Sequence, residues 1–249
     1  MFSISDVRAI SDPVLREQIE HHPRAQDLLR AFLYPYAAPD RDFLFRGGSV
    51  TPLDTSEVGD AIAGRVPVLA VGSNRAPVQL TRKFTHQNLP DDVPVTLGWM
   101  RHHDIVYSAH VTGYGAFPAT LAPSPGTRVR VAVTWLTAAQ LGHMHVTESV
   151  PTHYRYQQLH GRDLDLDCGI TTDHVGLYQS VAGFEFASGH IFALNAVEAT
   201  GRRYPSLEQW QMVAHVARLA GQVFRPDLVI RLIDDPAFRK SFGDLDHTK

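Results

Sequence analysis

The apolar run VPVLAV, from Val66 to Val71, constrains the fold more than any other segment of this chain. A continuous apolar run of this length, bounded by turn residues, is typical of a strand buried inside a sheet. The run leads directly into Gly72, Ser73 and Asn74, which are residue types that form tight turns and present backbone N–H groups. Such a turn is either an ordinary strand end or the floor of a site that binds an anionic or carbonyl oxygen.

Further strands are predicted by segments that are rich in β-branched and aromatic residues. These segments span residues 104–111, 129–136, 174–180 and 189–197. In the second of them, large apolar residues at every other position from Val129 to Trp135 share one face, and Arg130 and Thr134 lie on the other. This alternation predicts a strand with one strongly apolar face.

The first 60 residues are expected to form a helical N-terminal extension. Apolar residues recur there at three- and four-residue steps over residues 7–19 and again over residues 28–33. The segment from Tyr34 to Ser56 contains three prolines and a glycine pair, so we expect a connector. The chain then divides into an N-terminal extension, a core and a C-terminal helix with its tail, at residues 1–60, 61–225 and 226–249.

Capping signals predict where helices begin in the second half of the chain. Thr137 with Gln140 forms a capping-box signature, and so does Ser206 with Gln209. Gly221 is expected to end the helix that Ser206 opens, because glycine adopts the left-handed conformation that commonly follows a helix. A last short helix is expected after Pro226, and the tail beyond Phe242 is expected to be loose.

The composition and charge of the chain limit the binding partners and the cellular compartment that we expect. The formal net charge is −3, so no basic surface for nucleic acid or for an anionic membrane is expected. The amino terminus lacks the apolar segment of a signal peptide, and no window of about 18 residues is apolar enough to span a membrane. Cys168 is the single cysteine, which excludes an intrachain disulfide. We therefore expect a cytoplasmic protein that binds a small molecule.

The 14 histidines raise the question of a metal site. His143 and His145 diverge on a helix because they are two positions apart, whereas His145 and Glu148 share a face but supply only two ligands. No third ligand follows at a recognisable spacing.

The chain also lacks the glycine pattern of dinucleotide-binding sites after the buried strand, and it lacks the serine-hydrolase elbow. We expect neither a metal nor a cofactor.

Three sequence pieces, in this order and spacing, carry a resemblance to a known family. They are the turn VGSN, the segment GYGAFPATL that contains Pro118, and Glu148 followed by Pro151 and HYRY. Together they resemble the γ-glutamylcyclotransferase-like family, which includes the AIG2-like proteins, over roughly residues 66–222. Asn74 and Glu148 are separated by 74 positions, which is close to the separation expected in that family.

The resemblance implies both a fold and a reaction. The implied fold is α+β, with a small closed or barrel-like mixed β-sheet ringed by helices. In the implied reaction, the α-amine of a γ-glutamyl amine or peptide attacks its own γ-carbonyl and releases 5-oxoproline and an amine. Binding both reacting groups in one folded conformation supplies much of the acceleration. No cofactor is required.

The resemblance also implies roles for particular residues. Glu148 is the expected catalytic acid and base. The backbone N–H groups of the turn would bind the developing oxyanion, and Arg75 would pair with a carboxylate of the substrate. The expected substrate-binding residues are Val71, Gly72, Ser73, Asn74, Arg75, Pro118 and Tyr154.

Two departures from the family pattern keep other functions open. Val71 stands where the family has tyrosine, which removes a hydroxyl, and Ser149 stands where the family has glycine. One alternative is a relative that binds a γ-glutamyl-like molecule or a protein partner without turning it over. The other is an amidotransferase-like use of the pocket, in which an amine from a second molecule attacks.

Overall fold

A mixed β-sheet with helices packed against it forms this α+β protein. The computed structural model describes residues 2–85, 87, 89–186 and 189–244. Its α-helices are α1 Pro13–Glu20, α2 Ala25–Phe32, α3 Thr55–Ile62, α4 Pro77–Phe84, α5 Ala138–Thr147, α6 Gln209–Leu219, α7 Pro226–Asp234 and α8 Pro236–Asp244. Its strands are β1 Phe43–Arg46, β2 Ser49–Pro52, β3 Val66–Leu69, β4 Asp92–Tyr107, β5 Ala119–Leu136, β6 Tyr154–His160, β7 Leu164–Leu166, β8 His174–Ser180, β9 Ala193–Leu194, β10 Ala199–Thr200 and β11 Ser206–Leu207.

The strands form one sheet with the order β11-β9-β4-β5-β3-β8-β6. The remaining strands join it at the sides: β1 and β7 pair with β4, β10 pairs with β5, and β2 pairs with β1. Two pairs, β3–β8 and β9–β11, are parallel. The terminal strands β6 and β11 do not pair with each other in the described part of the chain, so the sheet is open there. The closed or barrel-like sheet that the resemblance implies is therefore unconfirmed.

Strands β4 and β5 are much longer than the sequence predicts. They pair antiparallel from Val95–Thr134 to Tyr107–Ala119. The Pro-Gly segment before Thr127 suggests a turn, but it is a bulge within β5: residues 124–127 lie opposite the single residue His102. Left-handed backbone at Gly126 accommodates this bulge, with φ of 86°. The predicted strand 104–111 instead ends at Tyr107, where a loop leads to β5.

The expected connector and one expected strand differ from the structure. The segment from Tyr34 to Ser56 contains the hairpin β1–β2, and β1 pairs with β4. The N-terminal extension therefore contributes strands to the sheet as well as helices. Only residues 193–194 of the expected strand 189–197 form a strand. The predicted boundaries at residues 60 and 225 stay predictions, and the tail from residue 245 onward lies outside the described residues.

Local capping explains the two helix starts. Thr137 and Gln140 form the predicted capping box of α5. In contrast, α6 begins two residues later than predicted, because Glu208 is its N-cap and forms the capping box with Gln211. Ser206 lies in β11 instead. Gly221 follows the end of α6 in the left-handed conformation, as predicted, with φ of 63°.

Two apolar cores lie on opposite sides of the sheet. Alternate residues of β5 point to different cores: Val129, Val131, Val133 and Trp135 belong to the first, and Ala132 and Leu136 to the second. The first core also contains buried residues of α2, α6 and α7, and the second contains buried residues of α4 and α5. The N-terminal helices are thus integral to the larger core. No helix within the described residues is long and apolar enough to cross a membrane.

A buried ion pair joins β4 to the segment before α6. The carboxylate of Asp104 is fully buried. The guanidinium of Arg202 donates to both of its oxygens, over 2.9 Å from Nε and 3.1 Å from Nη2. Nη2 also donates to the carbonyl of Val197. This pairing anchors the C-terminal part of the chain to the centre of the sheet.

We predict that Arg202→Gln lowers the free energy of unfolding by about 3–5 kcal/mol, because it leaves the buried Asp104 carboxylate without its cation. The exposed neighbour Arg203 provides the control, and Arg203→Gln should change the free energy of unfolding by less than about 0.5 kcal/mol. Urea denaturation of the two variants measures the difference. Equal stability of the two variants would contradict the prediction.

Candidate active site

A cavity of about 420 Å³ lies where the ends of β3, β5 and α5 come together. Its walls contain all but one of the residues that sequence analysis proposes for the site, namely Val71, Gly72, Ser73, Asn74, Pro118, Glu148 and Tyr154. The chain brings these residues together from segments that are far apart in sequence. The loop between β4 and β5, which includes His110 and Tyr114, supplies a further wall.

The Gly-Ser-Asn turn and Glu148 are in direct contact. After β3 the chain forms a short 3-10 turn, Ser73–Arg75, with Gly72 at its N-cap. The side-chain amide of Asn74 donates a hydrogen bond to Oε1 of Glu148 over 3.0 Å. The turn and the carboxylate therefore face the same cavity.

The end of α5 determines the position of Glu148. Glu148 is the C-cap of this helix, and its backbone N–H donates to the carbonyl of Met144 over 2.9 Å. Ser149 then adopts the left-handed conformation, with φ of 54°. Glycine is favoured in this conformation, which gives a structural reason for the glycine that the family resemblance places after the acidic residue.

Lys83 is a partner of Glu148 that sequence analysis missed. Its ammonium forms an ion pair with Oε1 of Glu148 and donates to Oγ1 of Thr147 over 2.8 Å. The Lys83 residue is only 5% exposed, so Glu148 and Thr147 replace the water contacts that its ammonium would otherwise make. A signal was present in the sequence: Lys83 follows Leu80 by three positions and therefore lies on the apolar face of α4.

Tyr34 of the N-terminal extension reaches the floor of the cavity. Its hydroxyl accepts a hydrogen bond from the backbone N–H of Ala119 over 2.8 Å. A Cβ atom on Gly72 would lie 2.2 Å from that hydroxyl, so glycine at position 72 is required by the close approach of Tyr34. Burial raises the pKa of Tyr34, Tyr114 and Tyr154 well above the ordinary value, so these phenols stay protonated near neutral pH.

His110 adds a neutral imidazole to the cavity wall. Its Nδ1 lies 2.8 Å from Oγ of Ser108, whose hydroxyl in turn lies 2.6 Å from that of Ser180. Burial, and to a smaller extent the neighbouring His153, lowers the pKa of His110 to about 4. Sequence analysis gave no sign of this residue, because its environment is formed by strands that are distant along the chain.

Arg75 is the one proposed site residue that does not line this cavity. It lines two neighbouring clefts instead. Within the 3-10 turn, Ser73 and Asn74 face the cavity of Glu148, while the next residue faces the other side. The expected pairing of Arg75 with a substrate carboxylate in this cavity is therefore not supported.

The histidines and the cysteine that sequence analysis considered have the following environments. No group of three or more His, Cys, Asp or Glu side chains converges to hold a metal ion among residues 2–85, 87, 89–186 and 189–244. Nδ1 of His145 lies 2.9 Å from the hydroxyl of Tyr178, and the His143 ring packs beside Phe84. Burial raises the pKa of the Cys168 thiol, which disfavours the nucleophilic thiolate.

Comparison with known proteins gives distant structural likenesses. A solved gamma-glutamyl cyclotransferase is 13% identical with a TM-score of 0.40, and the match covers 72% of this chain and 86% of that one. An uncharacterized human protein is 14% identical with a TM-score of 0.39, covering 47% of this chain and 68% of that one. A protein from Arabidopsis thaliana is 13% identical with a TM-score of 0.35, covering 47% of this chain and 70% of that one. No family model and no curated protein matches the chain. Scores of this size establish neither family membership nor activity.

We predict that His110 makes the protein less stable as the pH falls from 6.5 to about 4. The pKa of His110 is lowered in the folded state, so the unfolded chain binds more protons in this range. Acidification therefore stabilises the unfolded state relative to the folded state. The contribution is at most about 1.4 kcal/mol per pH unit. His110→Gln should therefore flatten the dependence of the unfolding free energy on pH. The exposed His174 provides the control variant His174→Gln. Parallel pH profiles for wild type and His110→Gln would contradict the prediction.

Proposed function

We propose that this protein is a γ-glutamylcyclotransferase-like enzyme that converts a γ-glutamyl amine or peptide into 5-oxoproline and a free amine. The observation that carries the proposal is the contact between Asn74 and Glu148 across one wall of the cavity. It joins the turn that would bind the reacting carbonyl to the carboxylate that would move the proton. The order and spacing of the sequence pieces that resemble the family give independent support.

The proposed reaction removes two protons from the attacking nitrogen. The α-nitrogen of the γ-glutamyl group forms a bond to its own γ-carbonyl carbon, and the bond from that carbon to the leaving amine breaks. Glu148 accepts one proton from the α-ammonium and returns it to the leaving nitrogen, and the ring nitrogen releases its second proton to solvent, so that 5-oxoproline keeps a single N–H. General acid–base help of this kind contributes about 10²–10⁴-fold.

The contacts of Glu148 suit the role of a base. Asn74 and Lys83 both bind its Oε1, whereas Oε2 has no hydrogen-bond partner among the described residues. The ammonium of Lys83 and the amide of Asn74 hold the side chain in place through hydrogen bonds to Oε1. We infer that Oε1 anchors the side chain and that Oε2 accepts the substrate proton.

The Gly-Ser-Asn turn and Tyr34 offer donors to an oxyanion. The backbone N–H groups at the start of a helical turn have no partner within that turn, so those of Ser73 and Asn74 are available to a ligand. The hydroxyl of Tyr34 lies beside Gly72 and accepts only the N–H of Ala119 among the described groups, which leaves its own proton for the substrate. We propose that Tyr34 supplies the hydroxyl that is missing at Val71.

The size of the cavity agrees with a small substrate. A volume of about 420 Å³ lies at the lower end of the range of about 300–1,000 Å³ that ligand pockets typically occupy. A γ-glutamyl amine or dipeptide fits this range. The cytoplasmic location expected from the sequence remains part of the proposal.

We expect Glu148→Gln to lower the rate of 5-oxoproline release by about 10²–10⁴-fold, because the amide cannot act as a base. The assay uses a panel of γ-glutamyl amines and γ-glutamyl dipeptides. Glu20→Gln, at an exposed position of α1, controls for the loss of one negative charge. Thermal unfolding separates loss of catalysis from loss of folding, since the substitution also removes the partner of Lys83.

The same panel decides between the proposed functions. If the wild type consumes no member of the panel, or if Glu148→Gln is as active as the wild type, the catalytic proposal is wrong. Binding of a γ-glutamyl compound without turnover would favour the non-catalytic alternative. Turnover that depends on an added second amine would favour the amidotransferase-like alternative.

Tyr34→Phe is expected to lower kcat by about 10²-fold, because it removes one donor to the developing oxyanion. Tyr36→Phe is the matched control: it also removes a buried phenol, whose hydroxyl donates to the carbonyl of Arg30, but Tyr36 does not line the cavity of Glu148. The two variants should lose similar thermal stability, and only the first should lose kcat. Equal kcat values for the two variants would show that Tyr34 has no role in the reaction.

A further inference from the structure

A second cavity, of about 710 Å³, lies between the N-terminal extension and the core. Its lining is mostly apolar and includes Phe2, Ile10, Phe32, Tyr36 and Val78. The volume falls within the range of about 300–1,000 Å³ that small-molecule sites occupy, and such sites combine an apolar lining with a few polar groups. Its lining shares only Tyr34 with the first cavity, and it also includes Arg75, the proposed site residue that does not line the first cavity.

The two acidic residues that line this cavity already have partners. Oδ2 of Asp6 accepts the backbone N–H of Ser3 over 2.9 Å, in a capping box. Oε2 of Glu208 accepts the indole N–H of Trp210 over 2.8 Å and the backbone N–H of Ser11 over 3.2 Å. Both carboxylates therefore stabilise the starts of helical segments, and neither compensates a cation of the cavity.

Of the described residues that line this cavity, Arg75 alone carries a positive charge. Among the described residues, no carboxylate lies within ion-pair distance of its guanidinium, and no acceptor forms a hydrogen bond with it. Burial lowers the pKa of Arg75, and the positive charge of Arg130 lowers it further. A partly buried guanidinium without an anion is unfavourable, so an anionic ligand would stabilise this region.

We propose that this cavity binds a small organic acid that has one carboxylate and an apolar body. The carboxylate pairs with the guanidinium of Arg75, which presents parallel donors that match a carboxylate. The apolar body packs against the aromatic and aliphatic lining. A single carboxylate is favoured over a phosphate group, because one arginine neutralises one charge and the nearby Asp6 and Glu208 disfavour further negative charge.

This site is separate from the proposed reaction and does not depend on it. The 3-10 turn that presents Ser73 and Asn74 to the first cavity presents Arg75 to the second. Binding is therefore tested directly, without an activity assay, and its failure would leave the cyclotransferase proposal untouched.

The experiment compares acids with their uncharged amides by isothermal titration calorimetry at neutral pH. Octanoate is paired with octanamide, and phenylacetate with phenylacetamide. We expect at least one acid to bind at least 10-fold more tightly than its amide. Arg75→Gln should lower the affinity for the acid to that for the amide, while Arg46→Gln, an exposed arginine outside the cavity, should leave it unchanged.

A second variant keeps the test decisive if Arg75→Gln does not fold. Val78→Phe enlarges a side chain of the cavity wall and should abolish binding of both acid and amide, and circular dichroism verifies its fold. If neither acid binds the wild type at millimolar concentration, the proposal is overturned. Acid binding that is equally tight in Arg75→Gln, or that is unaffected by Val78→Phe, also overturns it.

Discussion

Strand β5 pairs along its two edges with β4 and β3, and this double pairing determines where the walls of the Glu148 cavity lie. The pairing with β4 ends at Ala119, next to Pro118 and the hydroxyl of Tyr34. The pairing with β3 ends at Leu69, just before the Gly-Ser-Asn turn. At the other end of β5, Thr137 caps the helix whose last turn presents Glu148. Three walls of the cavity thus depend on the register of one strand.

The ion pair of Lys83 and Glu148 connects the proposed catalytic carboxylate to the packing of two helices. Both side chains are largely buried, at 6% and 14% exposure, and the pair connects α4 to the end of α5. A buried pair adds little net stability compared with well-packed apolar residues, but loss of one partner is costly. The pair fixes the orientation of the Glu148 carboxylate. Two donors bind one of its oxygens, which leaves the other oxygen in a defined position.

The elements that sequence analysis identified are those whose signals are local. The buried strand before Gly72, the capping box of Thr137 and the alternation from Val129 onward each depend on neighbouring residues, and each agrees with the structure. Helix α6 begins two residues later than predicted, because its N-cap is Glu208, an uncommon N-cap residue, and not Ser206. Local signals also suggested a turn at Gly126, where pairing with β4 instead extends the strand through a bulge.

The residues that sequence analysis missed act through distant partners. Tyr34 contacts Ala119, which is 85 positions away, and Lys83 contacts Glu148, which is 65 positions away. The place of Lys83 on the apolar face of α4 indicates that it is buried, but no pattern of neighbouring residues identifies the distant partner of either side chain. Arg75 lines other clefts than Asn74 does, since adjacent residues of a tight turn point in different directions. The Gly-Ser-Asn motif indicates where the turn lies, but only the structure shows which of its residues line each cavity.

The position of Tyr34 at the end of α2 has a consequence for the synthesis of the chain. Arg24 at the start of α2 pairs with Asp234 of α7 over 2.5 Å, across 210 positions, and α2 shares its core with α6 and α7. The segment that carries Tyr34 is therefore synthesised before the helices that secure it. Until they arrive, the nascent chain has the strand, the turn and Glu148 but lacks the secured floor of the cavity. The floor of the cavity is therefore completed only after α7 has been synthesised.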